Sequence, residues 1–231
     1  MKLSIIIPCY NEKNTIEKVI DQLNSLKIKK QIILVDDCST DGTTTIIKNM
    51  KKKIDKVIFH KKNLGKGGAI KSAKQFINGD YVVIQDADLE YEPKNLIYMF
   101  NLMISKKYNV LYGSRVLNSS RYISNNNFTS LFRIFANHIL TIFSNILNKQ
   151  NLTDAHTCYK MFKKEIFNKI ILKENGFSFC PEINTKVSNL KIDIHEVPIN
   201  YKGRSYEEGK KISFNDGIKA LYTIIKYSLI K

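Results

Sequence analysis

The sequence predicts an α/β protein with a mostly parallel central sheet and helices on both faces. Short apolar runs alternate along the first half of the chain with segments whose apolar residues recur at helical spacing, which is the pattern of βαβ units. The first run, residues 3–8, is apolar at nearly every position, as expected of a parallel strand that is buried on both faces. The alternation and the buried run together favour this fold class over an all-β or all-α fold.

The predicted elements follow one another at short intervals. Asn14 and Glu17 have the spacing of a capping box, so the first helix is expected to begin there and to carry apolar residues up to Leu23. A polar, glycine-containing stretch at residues 202–211 is predicted to be a mobile loop. The predicted strands are residues 3–8, 31–35, 56–59, 81–85, 110–113 and 193–200, and the other predicted helices lie at residues 46–50, 70–77, from about 93, at 128–147, after 181 and at 215–231.

The composition fits one large globular domain spanning residues 1–231. Hydrophobic residues make up 43% of the chain, enough for a full core, and no stretch approaches 18 consecutive apolar residues, so no membrane-spanning helix is predicted. The chain does not start with the layout of a signal peptide, and its four cysteines are expected to be reduced thiols, so a cytoplasmic protein is predicted. The net charge of +16 suggests an anionic partner: nucleic acid, a membrane surface or phosphorylated substrates. The alternative is a bias in composition, since lysine, asparagine and isoleucine dominate throughout the chain, and charge alone does not decide between them.

Four polar turns follow successive predicted strands, at residues 8–12, 36–43, 63–68 and 86–90. The carboxyl ends of parallel strands meet at one edge of a sheet, where ligands bind in open α/β folds, so these turns are expected to lie together. In the fourth turn, Asp86, Asp88 and Glu90 are hard oxygen ligands suited to Mg²⁺ or Mn²⁺ and so to a diphosphate. For any one turn alone, the alternative is an ordinary turn with a helix cap.

Taken together, these turns and several later motifs resemble the inverting glycosyltransferases of family 2, and more narrowly the dolichyl- or polyprenyl-phosphate mannose or glucose synthase branch. The resemblance runs from residue 3 to about residue 230 and implies a Rossmann-like nucleotide-diphospho-sugar transferase fold. It implies a nucleotide-sugar-binding half at residues 1–115 and an acceptor-binding half at residues 116–231. The matching segments are IIPCYNE at 6–12, VDD at 35–37, NLGKG at 63–67, DAD at 86–88, GSR at 113–115, LTD at 152–154, TCYK at 157–160, GF at 176–177, Glu182, EVPI at 196–199 and RSYEEGKK at 204–211.

The resemblance implies residue roles in the nucleoside pocket. Pro8, Tyr10 and Glu12 would line this pocket together with Asp37. Asp37 would accept a hydrogen bond from an N–H group of the base, and Asp36 is the alternative for that contact.

The resemblance also implies how the diphosphate is held. Asp88 would be a direct metal ligand, whereas Asp86 would bind the ion, act through water or touch the ribose, and Ala87 between them would contribute to the donor contact. Glu90 stands where this branch often has Gln, which adds a carboxylate to the metal cluster. Lys66 and the glycines beside it would approach phosphate or base, with a simple tight loop as the alternative.

On the acceptor side the resemblance implies two arginines. Arg115 and Arg133 would bind the phosphate of a polyprenyl phosphate, because a guanidinium fork suits that group. Arg121 is a rival for the place of Arg133, since the segment between the two predicted arginines differs from the family in length.

The implied reaction is a displacement with inversion at the anomeric carbon. Arg204, with Lys210 and Lys211, lies in the predicted loop, where closure would clamp the donor diphosphate; solubilising charge is the alternative. The metal and Arg204 would offset the charge of the departing nucleoside diphosphate. A phosphate acceptor is already ionised and needs no general base, whereas a hydroxyl acceptor would need one.

Three further side chains are candidates for a base or a sugar contact. Asp154 would be the base for a hydroxyl acceptor, with a structural turn as the alternative, and His156 is a weaker candidate. Glu182 would contact the sugar, or it is simply favoured near a helix start by the helix dipole.

The predicted function is metal-dependent transfer of a hexose from a GDP-mannose or UDP-glucose type of donor to a polyprenyl or dolichyl phosphate. The basic charge and the apolar helices at 128–147 and 215–231 favour peripheral docking on an anionic membrane at its cytoplasmic face, unless both helices pack in the core. The alternatives are a family-2 enzyme acting on a glycan hydroxyl, a nucleotidyltransferase and, most remotely, a basic nucleic-acid-binding protein. The donor nucleotide, the sugar and the oligomeric state are left open.

Overall fold

Within residues 1–117, 128–204 and 214–229, the part of the chain that the computed structural model describes, seven strands form one sheet. Across the sheet their order is β3-β2-β1-β4-β6-β5-β7. The pairs are parallel except for the two that β6 makes with β4 and β5, so the predicted mostly parallel sheet is confirmed. In chain order the strands are β1 (Leu3–Cys9), β2 (Lys30–Asp36), β3 (Lys56–Phe59), β4 (Tyr81–Ile84), β5 (Val110–Ser114), β6 (Lys160–Lys163) and β7 (His195–Pro198).

Helices connect the strands, as the alternating pattern predicted. Each helix predicted from the sequence is present, and α6 is an additional short one. A 3-10 turn follows α2 at Lys51–Lys53. The helices are α1 (Ile16–Ser25), α2 (Thr43–Asn49), α3 (Gly65–Lys74), α4 (Asn95–Ser105), α5 (Phe128–Asn148), α6 (Lys164–Lys169), α7 (Phe179–Asn189) and α8 (Phe214–Leu229).

The path of the chain across the sheet reverses between β1 and β4, which flank one another. From β1 the chain moves through α1 to β2 on one side, whereas β4 pairs with the opposite side of β1 and leads away from it. Because such parallel crossovers are right-handed, α1 and α3 lie on opposite faces of the sheet. The turns after β1 and β4 therefore diverge, and the crevice between them is the expected ligand site.

The start of α1 differs from the prediction. Thr15, not Asn14, takes the N-cap position, and no side chain caps the helix. The Thr15 hydroxyl instead donates to the Ala87 carbonyl at 2.7 Å and to the Glu12 carboxylate at 2.9 Å. The predicted capping box is therefore wrong, because a tertiary contact to the turn after β4 outcompetes local capping.

Strand β6 was not predicted from the sequence. Its four residues have lysine at both ends, and their strand character comes from pairing on both sides rather than from a local pattern. Lys160 is fully buried, with its ammonium donating to the Ala155 carbonyl at 2.9 Å and lying 3.9 Å from the centre of the Tyr112 ring. Because β6 lies between two strands of the first half, both halves of the chain share one sheet, and the division at residue 115 remains a prediction about function.

Helices α5 and α8 pack against each other and expose much of their apolar surface. Among the α5 side chains that the structure describes, residues 134–148, the buried ones are Thr141, Ser144 and Asn148. In α8 the buried side chains include Ala220, Thr223, Ile224 and Tyr227. The alternative that both helices are simply buried in the core is therefore not what the structure shows. The exposed apolar residues of the two helices are Phe135, Ile139, Ile142, Ile146, Leu147, Ile218, Leu221, Tyr222, Ile225 and Leu229.

Across the described residues, no helix is both long enough and apolar enough to cross a membrane.

Candidate active site

Side chains from three loops converge at the crevice between β1 and β4. Glu12 comes from the turn after β1, Asp88 from the turn after β4, and Arg204 from the segment after β7. The Arg204 guanidinium binds both oxygens of Glu12, at 3.0 and 3.1 Å, and lies 3.1 Å from Asp88 Oδ2. Pro8 and Tyr10 are half-buried beside them. The sequence predicted all of these residues for the donor site.

A left-handed residue separates Glu90 from the two aspartates. Leu89 has φ of 62°, which is costly for a bulky side chain, and the turn is closed by the Glu90 N–H donating to Asp88 Oδ1 at 3.1 Å. The Glu90 carboxylate consequently points to the segment after β7, where it accepts from the Tyr201 hydroxyl at 2.8 Å and from the Arg204 N–H at 2.7 Å.

The three carboxylates predicted to form one metal cluster are therefore divided. Asp86 forms an ion pair with Lys66, Asp88 with Arg204, and Glu90 holds a backbone segment. Among the residues that the structure describes, no three His, Cys, Asp or Glu side chains are grouped so as to hold a metal ion. Two carboxylates remain at the crevice, which is a set that Mg²⁺ commonly uses when phosphate and water supply its other ligands.

The carboxylate of Asp88 lies in an environment with excess negative charge. Burial and, after it, the negative charges of Asp86 and Glu90 together raise the pKa of Asp88 to about 7, and the charge of Arg204 offsets only part of this increase. The cations present therefore do not fully neutralise this part of the crevice.

The glycine-rich segment after β3 packs against protein instead of forming an open cradle. A Cβ on Gly67 would lie 2.5 Å from the Glu174 carbonyl oxygen, and one on Gly65, where φ is 78°, would lie 2.7 Å from the Asn175 carbonyl oxygen. The Gly68 N–H donates to the same Asn175 oxygen at 2.9 Å. The glycines thus allow close approach of α3 to residues 174–176, which agrees with the tight-loop alternative.

The two aspartates at the end of β2 are nearly fully buried and bonded within the chain. Asp37 accepts from the backbone N–H groups of Leu64 and Gly65, at 2.8 and 2.7 Å, and its Oδ1 lies 2.6 Å from His60 Nδ1. Asp36 accepts from the Thr44 hydroxyl and from the Ser39 backbone N–H. The bonds to Asp37 fix the start of the segment after β3, at residues 64 and 65. Contact of either aspartate with a nucleoside base stays a prediction.

On the other side of the crevice, Asp154 positions Arg115. Its carboxylate accepts from Arg115 Nε at 2.7 Å, from Nη2 at 2.8 Å and from the Arg115 backbone N–H at 3.1 Å. Burial would raise the pKa of Asp154, but the charge and hydrogen bonds of Arg115 lower it to about 2. Glu196 on β7 in turn accepts from the backbone N–H groups of Thr153 and Asp154, at 2.6 and 3.0 Å.

The family profile described as "Glycosyl transferase family 2" matches residues 4–171. The chain belongs to glycosyl transferase family 2. The family that the sequence resembled is thereby confirmed.

Curated relatives carry names from the branch that the sequence resembled. The chain is 26% identical to dolichyl-phosphate beta-glucosyltransferase ALG5A of Trichomonas vaginalis and 28% identical to the dolichyl-phosphate beta-glucosyltransferase of Dictyostelium discoideum, covering 98% and 97% of this chain and 73% of each relative. It is 27% identical to the low-salt glycan biosynthesis hexosyltransferase Agl6 of Haloferax volcanii, over 93% of this chain. The chain spans about half (51%) of the length of that last relative.

Solved structures agree with the fold of this family-2 chain. Glucosyl-3-phosphoglycerate synthase from Mycobacterium tuberculosis, in a complex with UDP, superposes with a TM-score of 0.73 at 16% identity, over 100% of this chain and 81% of that one. Other structures of the same enzyme contain Mn²⁺ with UDP-glucose or Mg²⁺ with UDP. At this identity the likeness supports the fold alone.

Two further candidate residues of this family-2 chain are Glu182 and His156. Glu182 is fully buried, accepts from the backbone N–H groups of Lys173 and Glu174 at 2.6 and 2.9 Å, and pairs with Lys186 at 2.5 Å. Its carboxylate holds the loop that packs on α3, and the sugar contact stays a prediction. Burial, followed by the charge of Lys160, lowers the pKa of His156 to about 4, so this imidazole is neutral and weakly basic.

Sequence reasoning missed Tyr201 and His60, and some predicted residues lie outside the described part of the chain. His60 directly follows β3, so its place at the carboxyl edge of the sheet was a usable signal. Tyr201 had no motif to mark it.

The side chain of Arg133, on α5, lies outside the described residues, as do Arg121, Lys210 and Lys211 in full.

Proposed function

We propose that this family-2 chain transfers a hexose from a nucleotide-diphosphate sugar to a polyprenyl or dolichyl phosphate, with inversion at the anomeric carbon. The observation that carries the proposal is the arrangement of two arginines at one crevice. Arg204 lies with Asp88 on the donor side, while Arg115 lies across Tyr201 on the other side. Both dolichyl-phosphate glucosyltransferase relatives align along nearly the whole chain, which supports a lipid phosphate as the acceptor.

Asp86 and Asp88 fit Mg²⁺ or Mn²⁺ as hard oxygen donors beside a diphosphate. When bound, such an ion supplies charge neutralisation for the departing nucleoside diphosphate. Glu90 is not needed for this set, because Tyr201 and Arg204 already bind its carboxylate.

Arg204 would act on the donor by exchanging partners. Its guanidinium fork is held by the two oxygens of Glu12, a geometry that phosphate oxygens reproduce. A donor diphosphate in the crevice would take the place of these carboxylate contacts, and the arginine would then stabilise the negative charge that develops as the bond to the sugar breaks.

The candidate bases favour an acceptor that needs none. Asp154, with a pKa of about 2, and His156, with a pKa of about 4, are both weak bases at neutral pH. A phosphate monoester is already ionised there, so its oxygen can attack directly. Asp154 then serves to hold the guanidinium of Arg115, which receives the acceptor phosphate.

An acceptor comparison tests this function. The full chain is incubated with Mn²⁺ and a small panel of UDP- and GDP-sugars, and transfer to a short polyprenyl phosphate is compared with transfer to the corresponding polyprenol. We expect product with the phosphate alone, and an acceptor KM raised at least about tenfold in Arg115→Gln. Transfer to the alcohol, or to a glycan hydroxyl with equal efficiency in Arg115→Gln, would instead support the hydroxyl-acceptor alternative.

We also propose that the outward face of α5 and α8 rests on an anionic membrane surface, where the acceptor would be reached. Large apolar residues point outward, whereas threonine, serine and asparagine lie at buried positions of α5. Small and polar residues between helices with apolar residues outside are typical of helices in contact with lipid. The net charge of +16 complements anionic headgroups.

Flotation with vesicles tests the membrane proposal. Wild type should float with phosphatidylserine-containing vesicles and less with pure phosphatidylcholine, while Ile142→Glu and Ile225→Glu should remain in the soluble fraction. Ile171→Glu is the matched control, because Ile171 is 71% exposed and lies outside both helices. A wild type that forms a dimer, does not float and becomes monomeric in Ile142→Glu would show instead that this face binds a second copy.

A further inference from the structure

Within the described crevice, Tyr201 contacts both the donor side and the acceptor side. Its hydroxyl donates to Glu90 Oε2 at 2.8 Å on the donor side. Its ring lies under the guanidinium of Arg115 on the acceptor side, with 5.1 Å between Arg115 Cζ and the ring centre. The residue follows β7 and belongs to the same segment as Arg204.

The position of the Tyr201 ring is fixed by its neighbours. Tyr91 packs edge-on against it with 5.0 Å between ring centres, and the two residues form an antiparallel bridge. Tyr91 packs in turn on Tyr159, at 4.8 Å, whose hydroxyl donates to Gln85. This row of rings ties Tyr201 to the end of β4, directly before the two aspartates.

Two contacts fix the position of the Arg115 guanidinium. Asp154 binds Nε and Nη2, and the guanidinium carbon lies over the Tyr201 ring. The carboxylate alone would allow the guanidinium to rotate about it, whereas contact with the face of the Tyr201 ring limits that motion. Cation–π contacts of this kind are stronger where water is excluded, and the side chain of Arg115 is only 18% exposed.

We propose that Tyr201 is a positioning residue whose ring orients Arg115 for the acceptor phosphate. The ring is held by Tyr91, so the bond from its hydroxyl to Glu90 is an additional contact that the orientation of Arg115 does not require. The inference rests on the proposed function, since it takes Arg115 as the cation for the acceptor's phosphate.

Two substitutions of Tyr201 distinguish the contribution of its ring from that of its hydroxyl. Tyr201→Phe keeps the face contact with Arg115 and loses the bond to Glu90, whereas Tyr201→Leu loses both. Tyr98→Leu is the matched control, because Tyr98 is 54% exposed on α4. Binding of farnesyl phosphate to the full chain is measured by calorimetry, with farnesol as the phosphate-free ligand and UDP with Mn²⁺ as the donor-side ligand.

Tyr201→Leu should weaken farnesyl phosphate binding about tenfold, the scale of a desolvated cation–π contact, and should raise the acceptor KM by a similar factor. Tyr201→Phe should bind farnesyl phosphate within about twofold of wild type, and both variants should bind UDP and farnesol as wild type does. Tyr98→Leu should change none of these values.

These binding measurements distinguish a failure of the Tyr201 inference from a failure of the proposed function on which it rests. If wild type binds farnesol as tightly as farnesyl phosphate, the proposed function fails and the inference with it. If wild type prefers the phosphate and Tyr201→Leu binds it equally well, the inference alone is overturned. Equal losses in the Phe and Leu variants, or an equal loss of UDP binding, would also overturn it, since either would mean that the ring does not orient Arg115.

Discussion

Replacing Asp154 with asparagine would remove the charge that neutralises Arg115 in the crevice. The pair is largely buried, with side-chain exposures of 18% for Arg115 and 6% for Asp154, so solvent screens it little. The variant keeps the shape of the side chain but leaves the guanidinium without its counter-charge. Breaking a buried pair in this way is destabilising because one desolvated charge remains.

The magnitude and its pH dependence follow from the pKa of Asp154. This pKa falls from an ordinary 3.8 to about 2 in the folded protein, which corresponds to about 2 kcal/mol of stabilisation at neutral pH. Because the folded pKa is depressed, the stabilisation is complete above about pH 4 and is lost as the pH falls toward 2. At pH 3 about 1 kcal/mol remains.

Urea unfolding of wild type and Asp154→Asn, followed by circular dichroism because the chain has no tryptophan, measures this directly. The difference in free energy of unfolding should be at least about 2 kcal/mol at pH 7 and should narrow by about 1 kcal/mol at pH 3. Asp21→Asn is the control, since the Asp21–Lys53 pair is about half exposed and, as a pair screened by solvent, should contribute little to stability. The reasoning would be refuted if Asp154→Asn lowered the free energy of unfolding by less than Asp21→Asn does, or if its effect did not change with pH.

Three further predictions concern other contacts. Gly67→Ala should lower the melting temperature by about 3–8 °C, because its Cβ would meet the Glu174 carbonyl at 2.5 Å, whereas Gly176→Ala, with nothing within 4 Å, should shift it little. Glu182→Gln should cost about 1–3 kcal/mol in urea unfolding, with an unchanged donor KM in transfer assays, because the bonds described for its carboxylate hold a loop; a raised donor KM at unchanged stability would contradict this. Arg204→Lys should lower kcat at least about tenfold in the same assay, since an ammonium cannot reproduce the fork, and near-normal kcat would exclude Arg204 from the diphosphate.

The sequence predicted the parts of the fold that depend on local pattern. The apolar run that forms β1 and the polar turns at the carboxyl edge of the sheet are both visible in the residue pattern of a single sequence, without any knowledge of tertiary contacts. Strand β6 had no such signal, because its strand conformation depends on pairing with both β4 and β5. For α5 and α8 the sequence left two alternatives, an exposed docking face or burial in the core, since periodicity marks an apolar stripe but does not show what covers it.

The site was predicted in its residue types more than in its contacts. Glu12, Asp88 and Arg204 meet as expected. Glu90 does not join the aspartates, because the left-handed turn at Leu89 directs it toward Tyr201. The left-handed conformation of a single residue thus decides where the Glu90 carboxylate points. Nothing in the sequence indicates that a leucine at this position has a positive φ.

Sugar transfer to a lipid phosphate is the central claim, and an assay of wild type beside Asp88→Ala tests it most directly. Labelled UDP-glucose and GDP-mannose are offered with Mn²⁺ and a short polyprenyl phosphate, and label in the lipid product is counted. We predict lipid-linked product with wild type and with Asp21→Ala, and a loss of at least about a hundredfold in Asp88→Ala. Wild type that hydrolyses or binds the donors without forming lipid-linked product, or Asp88→Ala with wild-type transfer, would contradict the account.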